Sequence, residues 1–188
     1  THVNKCFERL SSFYYSEHFR NNDSEVFVFL FYVDIEGEYK MKHTFNCTAK
    51  FNGGYHGVGT IENRNLKSKI SIPKEMDGPD IGTNPDEMLL SSAVTCFTIT
   101  LSSMFERNNI PVEIDYVDAS ATINSEKQVL TYESITYKVY LISTAQIDEK
   151  KIVRYVNKSE ESCMITRALK GNVEVSIENI YLNNNILI

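Results

Sequence analysis

Cysteine is scarce in this chain: there are four among 188 residues, Cys6, Cys47, Cys96 and Cys163. No two of them form the short CxxC pair of a zinc knuckle. Their number and wide spacing exclude a secreted disulfide framework and predict free thiols in a cytoplasmic protein. Positive charge is also in short supply, with 19 Lys and Arg against 25 Asp and Glu and a net charge of -6. The clustered cations that grip a phosphate backbone are therefore missing, and nucleic acid is excluded as a partner. The longest clean apolar run, Val26 to Val33, has eight residues where a bilayer-spanning helix takes about 20, which predicts no membrane partner. There is no GxSxG, P-loop, HExxH or GxGxxG to sign hydrolase, nucleotide or zinc chemistry, and neither a cofactor nor a metal is expected.

What is present is 42% hydrophobic and 23% charged residues, the balance of a single domain large enough to bury a core. Residues 1–40 stand apart. They hold ten of the 21 aromatics without a sustained helical or strand period. A signal peptide does not fit, because Val26 to Val33 is flanked by Asp23 and Glu25 on one side and by Asp34 and Glu36 on the other. Two readings remain: an extension whose Val26 to Val33 run adds an edge strand, or a misplaced translation start. Glu36-Gly37-Glu38 can be encoded by a purine-rich ribosome-binding run just upstream of Met41, and the second reading is preferred. The domain to be explained is then 41–188.

Within it, Phe45, Cys47, Ala49 and Phe51 alternate with polar residues, the period of a strand with one buried face. This places Cys47 in a core. Gly53-Gly54 turns the chain, and Gly57 to Ile61 and Leu66 to Ile72 continue an antiparallel meander that Pro73 ends. Asn84 then caps a helix opened by Pro85, with Asp86 and Glu87 in its first turn and Glu87 placed for a capping box. The segment from Met88 to Met104 carries so few charges that the helix is expected to be buried around most of its circumference, up to Asn108-Asn109 and Pro111. Val112 to Ile123 and Val129 to Ile142 read as strands, Ile147 to Tyr155 and Ser159 to Leu169 as two helical stretches, and Val173 to Ile180 as a last strand. The order predicts an α+β fold with helices segregated from antiparallel sheets.

Cys96 lies about three turns into the long helix, and Cys163 begins or precedes the last helical stretch. From spacing alone each reads first as a small core residue, with the alternative of half of a redox pair, in which one thiolate attacks a peroxide and the other captures the sulfenic acid as a disulfide. The second role requires a cation or hydrogen-bond donor near the attacking sulfur, since apolar burial raises a thiol pKa.

The run Gly82-Thr83-Asn84-Pro85-Asp86-Glu87-Met88-Leu89-Leu90, continued by Ala93-Val94-Thr95-Cys96-Phe97, resembles the GTNPEELL and ACF signature of the OsmC/Ohr family of organic hydroperoxide reductases. Cys163-Met164-Ile165-Thr166-Arg167-Ala168-Leu169 resembles that family's second-cysteine segment. The resemblance covers residues 41–188. It implies an intertwined homodimer with long central helices packed between sheets and two sites at the subunit interface. It also implies that Cys96 is the peroxidatic thiol, that Cys163 resolves, and that Asp86 takes the place of the family's usual glutamate. The implied partners are an organic hydroperoxide and a dithiol reductant such as a lipoylated protein.

The resemblance departs at three points. Asp86 is one methylene shorter than Glu, Met164 replaces a proline, and no arginine stands in the first hairpin or before the signature. Lys74, His56, Arg64 and Arg167 are the candidates for that cation, with Lys74, His56 and Arg167 assigned to substrate binding. Asp86 is read either as a helix-dipole residue or as a site acid. Ten residues separate it from Cys96, about 15 Å along a regular helix, so contact needs a second chain or a broken helix.

Overall fold

The computed structural model describes residues 15–20, 26–31, 42–126 and 129–188. Two strands, β1 (Tyr15–Arg20) and β2 (Val26–Phe31), pair antiparallel as a separate two-stranded sheet, with Tyr15 opposite Phe31 and Arg20 opposite Val26. Residues 26–31 of the apolar run thus pair with β1. Cys6, Glu36-Gly37-Glu38 and Met41 lie outside the described residues.

From Thr48 onward the chain forms a second unit. Its first sheet is the expected meander of β3 (Thr48–Asn52), β4 (Val58–Glu62) and β5 (Lys67–Ser71), all antiparallel. Gly53, with φ of 99°, supplies the left-handed residue that opens the turn after β3. The buried face expected on β3 is not there. All five of its residues are exposed, and so are Phe45 and Cys47 just before it. Alternation marks which side chains share a face; it does not say that a second layer covers that face.

The loop after β5 returns along the same strand. Thr83 bridges Ile70 in parallel, its amide donating to the Lys69 carbonyl at 3.0 Å and its carbonyl accepting from the Ser71 amide at 3.2 Å. Gly82 (φ 83°) allows this approach, because a Cβ there would stand 2.2 Å from the Lys69 oxygen. Asn84 then caps α1 (Pro85–Arg107), its side chain accepting from the Glu87 amide at 2.9 Å. The carboxylate of Glu87 takes the Thr83 hydroxyl at 2.9 Å, which ties the helix start to the loop in place of a reciprocal capping box.

By length and composition α1 is apolar enough to span a bilayer, with mean hydropathy of 1.6 in its most apolar window. It is a core helix. Ala93, Phe97, Leu101 and Phe105 form a buried stripe at four-residue spacing. The remainder departs from expectation: Ile99 is 64% exposed, and α1 buries one face instead of most of its circumference.

The stripe packs on the larger sheet, made of β6 (Glu113–Glu126), β7 (Val129–Ile142), β8 (Glu174–Leu182) and β9 (Asn185–Ile186). Alternate residues of β7, namely Ile135, Tyr137, Val139 and Leu141, point into the core. The helices between β7 and β8 are divided differently from expectation. α2 (Glu149–Ser162) is continuous, contributing Ile152, Val156 and Ser159 to the core, and the break falls at Cys163 before the short α3 (Met164–Leu169). This helical crossover returns the chain so that β8 lies parallel to β7, the one parallel pair among the described strands of an otherwise antiparallel α+β fold.

Gly82→Ala should lower the urea midpoint, with a loss of about 1–3 kcal/mol from placing a side chain at positive φ against backbone. An unchanged midpoint would show that the loop does not depend on this close approach.

Candidate active site

The break between α2 and α3 makes Cys163 the hinge of the site. Its backbone is extended (φ -59°, ψ 126°), its amide donates to the Ser159 and Glu160 carbonyls at 3.0 and 3.1 Å, and its carbonyl accepts from the Arg167 amide at 3.0 Å. Both helices therefore hold this residue in place. The first amides of α3, which no intrahelical carbonyl satisfies, are left for another acceptor.

Cys96 is close enough for the Met164 and Ile165 amides to act on its thiol. It sits half-buried on α1 beside the core residue Phe97. Burial pushes its thiol pKa up, but hydrogen bonds from the Cys163 thiol, from the Ile165 and Met164 amides, and from Thr100 outweigh burial and bring it below the ordinary thiol value. The Thr100 hydroxyl also lies 2.8 Å from the Cys96 carbonyl, and its single proton serves one oxygen or sulfur at a time. Cys163 moves the other way. It is fully buried, and burial followed by its hydrogen bond to Cys96 holds it protonated, against opposing contacts from Thr166 and Ile165.

The pair is therefore unequal. The surroundings of Cys96 favour its thiolate, and those of Cys163 favour its thiol. With the Thr100 proton on the Cys96 carbonyl, the donors left to the sulfur are a thiol and two amides, none of them a cation.

The other candidate residues are dispersed. Asp86 is in the first turn of α1, where its backbone carbonyl accepts from the Tyr132 hydroxyl at 3.4 Å; burial and then the Asp86 charge push the Tyr132 phenol pKa up. α1 runs unbroken from Asp86 to Cys96, so the separation of about 15 Å stands within one chain. His56 is exposed in a 3-10 turn, edge-on to Tyr55 with ring centroids 5.4 Å apart. The Tyr55 hydroxyl donates to the Met76 carbonyl and so joins that turn to the one carrying Lys74. Arg167 is exposed on α3, lining a 230 Å³ cleft with Glu160, Glu161 and Lys170.

Sequence reading does not single out Thr100, Tyr137 and Thr166. Thr100 lies one helical turn beyond Cys96, and Thr166 lies three residues beyond Cys163. Tyr137 falls on the apolar side of β7 by simple alternation, the signal for a buried phenol.

A long core helix and a helical crossover packed on a mixed sheet define the α+β class of this protein. A family model described as OsmC-like protein matches residues 78–178, more than half of the chain, and the chain belongs to that family. The uncharacterized protein YmaD of Bacillus subtilis is 44% identical over 139 residues, spanning 72% of this chain and 93% of that one. The organic hydroperoxide resistance protein OhrB of the same organism is 24% identical over 134 residues, spanning 71% and 96%. Its crystal structure matches the fold with a TM-score of 0.53 at 21% identity, over 73% of this chain and 98% of that chain. An OsmC-like protein of unknown function from Vibrio cholerae matches with a TM-score of 0.62 at 11% identity, over 74% and 100%.

Because the Cys163 thiol is a donor to the Cys96 anion, Cys163→Ala should raise the pH midpoint for alkylation of Cys96 by iodoacetamide, followed residue by residue by mass spectrometry. A midpoint that stays where it is in the unaltered protein would remove Cys163 from the set of donors.

Proposed function

We propose that this protein is a thiol-dependent peroxidase that reduces organic hydroperoxides through Cys96 and Cys163. The observation that carries the reading is the contact between these two thiols, with the pKa of one lowered and that of the other raised. The Cys96 thiolate attacks the outer peroxide oxygen. The O–O bond breaks, an S–O bond forms, and the alkoxide leaves as the alcohol after taking a proton, with sulfur supplying both electrons. Cys163 then attacks the Cys96 sulfenic acid; an S–S bond forms and the hydroxyl leaves with the Cys163 proton as water. A dithiol such as a dihydrolipoyl group returns two electrons and two protons to the disulfide.

OhrB and the 25%-identical protein of Xanthomonas axonopodis pv. citri are named organic hydroperoxide resistance proteins, which supports an organic hydroperoxide as the substrate class. Because α1 does not break between Asp86 and Cys96, Asp86 serves the thiols of a second subunit in this reading. Lys74, His56 and Arg167 are then the cations offered to the peroxide. A homodimer also accounts for the exposed β3 face and for Ile99 on α1. Residues 1–40 take no part in this chemistry, and translation from Met41 is the start we propose.

A second reading keeps the pair and drops turnover: a dimeric thiol sensor or binder of hydrophobic ligands, favoured by the absence of a cation among the donors acting on Cys96.

Steady-state reduction of cumene hydroperoxide with dihydrolipoamide separates the two. The peroxidase reading expects turnover in the unaltered protein and a loss of at least a hundredfold in Cys96→Ser. An active Cys96→Ser protein, or oxidation that stops after one equivalent, would overturn it. Sedimentation of the full chain should give a dimer, and a monomer would remove the shared site.

A further inference from the structure

The core beside the thiol pair holds two polar groups that the reaction above leaves unused. Tyr137 is fully buried on the inner face of β7, with its ring stacked on Phe97 at a centroid separation of 4.7 Å and 7° between planes. Its hydroxyl has no hydrogen-bond partner among the described residues. Thr166, 8% exposed and three residues after Cys163 on α3, has a hydroxyl that is also buried and unpartnered. Each is within electrostatic reach of the same sulfur. Thr166 bears on Cys163 through both its amide and its hydroxyl, and Tyr137 feels Cys163, Glu160 and Cys96 and faces Thr166. Both hydroxyls therefore bear on Cys163, and neither is paired among the described residues.

Native cores seldom leave even one buried hydroxyl idle, and two around one sulfur call for an explanation. In the resting pair Cys163 is a neutral thiol whose proton is directed at Cys96, so nothing at Cys163 needs a donor. Resolution changes that. As Cys163 attacks the Cys96 sulfenic acid, its proton passes toward the hydroxyl that departs as water, and until the electron pair left behind becomes the S–S bond, partial negative charge sits on a fully buried sulfur that solvent cannot reach. Donors that are unpaired in the ground state and paired in the transition state lower the barrier of that step alone.

We propose that the Tyr137 and Thr166 hydroxyls form a two-donor hole for the charge that develops on Cys163 as it closes the disulfide. This makes them catalytic residues of resolution, distinct from the amides that serve Cys96. The inference rests on the peroxidase reading of the pair.

Single-turnover kinetics of the full chain test it, with a sulfenic-acid trap and thiol mapping following the two steps separately. In Tyr137→Phe and in Thr166→Val, sulfenic acid should form on Cys96 within about twofold of the unaltered rate, and the disulfide should close about tenfold more slowly or worse. Thr166→Ser, which keeps the hydroxyl, should restore closure. Thermal midpoints of the reduced variants should stay level or rise, because an unsatisfied buried hydroxyl has been removed. Disulfide closure at the unaltered rate in both variants, equal slowing of both steps, or a fall in both midpoints would overturn the proposal while leaving the peroxidase reading standing. If the unaltered protein forms no sulfenic acid on Cys96, both fail. If Tyr137→Phe does not fold, slow closure in Thr166→Val with recovery in Thr166→Ser supports the hole, and unaltered closure in Thr166→Val overturns it.

Discussion

A sulfur anion inside a protein persists only where hydrogen-bond donors replace the water it has lost, and every feature of this site follows from that requirement. At Cys96 the replacement is made by a neighbouring thiol and by two amides that become available because the chain breaks its helix at Cys163. The same break holds Cys163 by both adjoining helices. The buried stripe on α1 and the crossover from β7 to β8 bring residues distant in sequence to one place. Burial acts on both sulfurs, and the asymmetry in donors moves the two thiol pKa values in opposite directions, which is the difference the proposed reaction uses.

Much of the frame is legible from residue patterns. Asn84, Pro85 and the acidic first turn mark the start of α1 because helix capping is local chemistry, and Val129 to Ile142 reads as one strand because its alternation is sustained. Where the pattern fails, the missing information is tertiary. The exposed Cys47 and Phe51 alternate as buried residues do, yet no periodicity says which faces are covered. Composition overstates the burial of α1 for a related reason, since it sets how much surface wants cover and not how much one chain provides. The pattern puts the helical break before Ser159 whereas it falls at Cys163, because α2 continues through polar residues that still offer Ile152, Val156 and Ser159 to the core.

The site is legible in part. The two signature segments point to Cys96 and Cys163, and the fold brings those residues into contact. What activates Cys96 is not readable, because backbone amides leave no mark in the side-chain alphabet. Sequence reasoning looks for a cation, and the structure supplies amides and a thiol in its place. The unsatisfied hydroxyls of Tyr137 and Thr166 are equally out of reach, since each is ordinary in its own segment and significant only beside the other. Asp86 illustrates the reverse case. Helical rise alone separates it from the thiols of its own chain, and α1 runs unbroken between them.

The central claim is that Cys96 and Cys163 form one redox unit and Cys47 does not belong to it. The most direct test adds one equivalent of an organic hydroperoxide to the reduced full chain, blocks the remaining thiols and maps the peptides. The account predicts a single bridge joining Cys96 to Cys163, with Cys47 recovered as a blocked thiol. Recovery of Cys96 and Cys163 both as blocked thiols, or a bridge through Cys47, would contradict it.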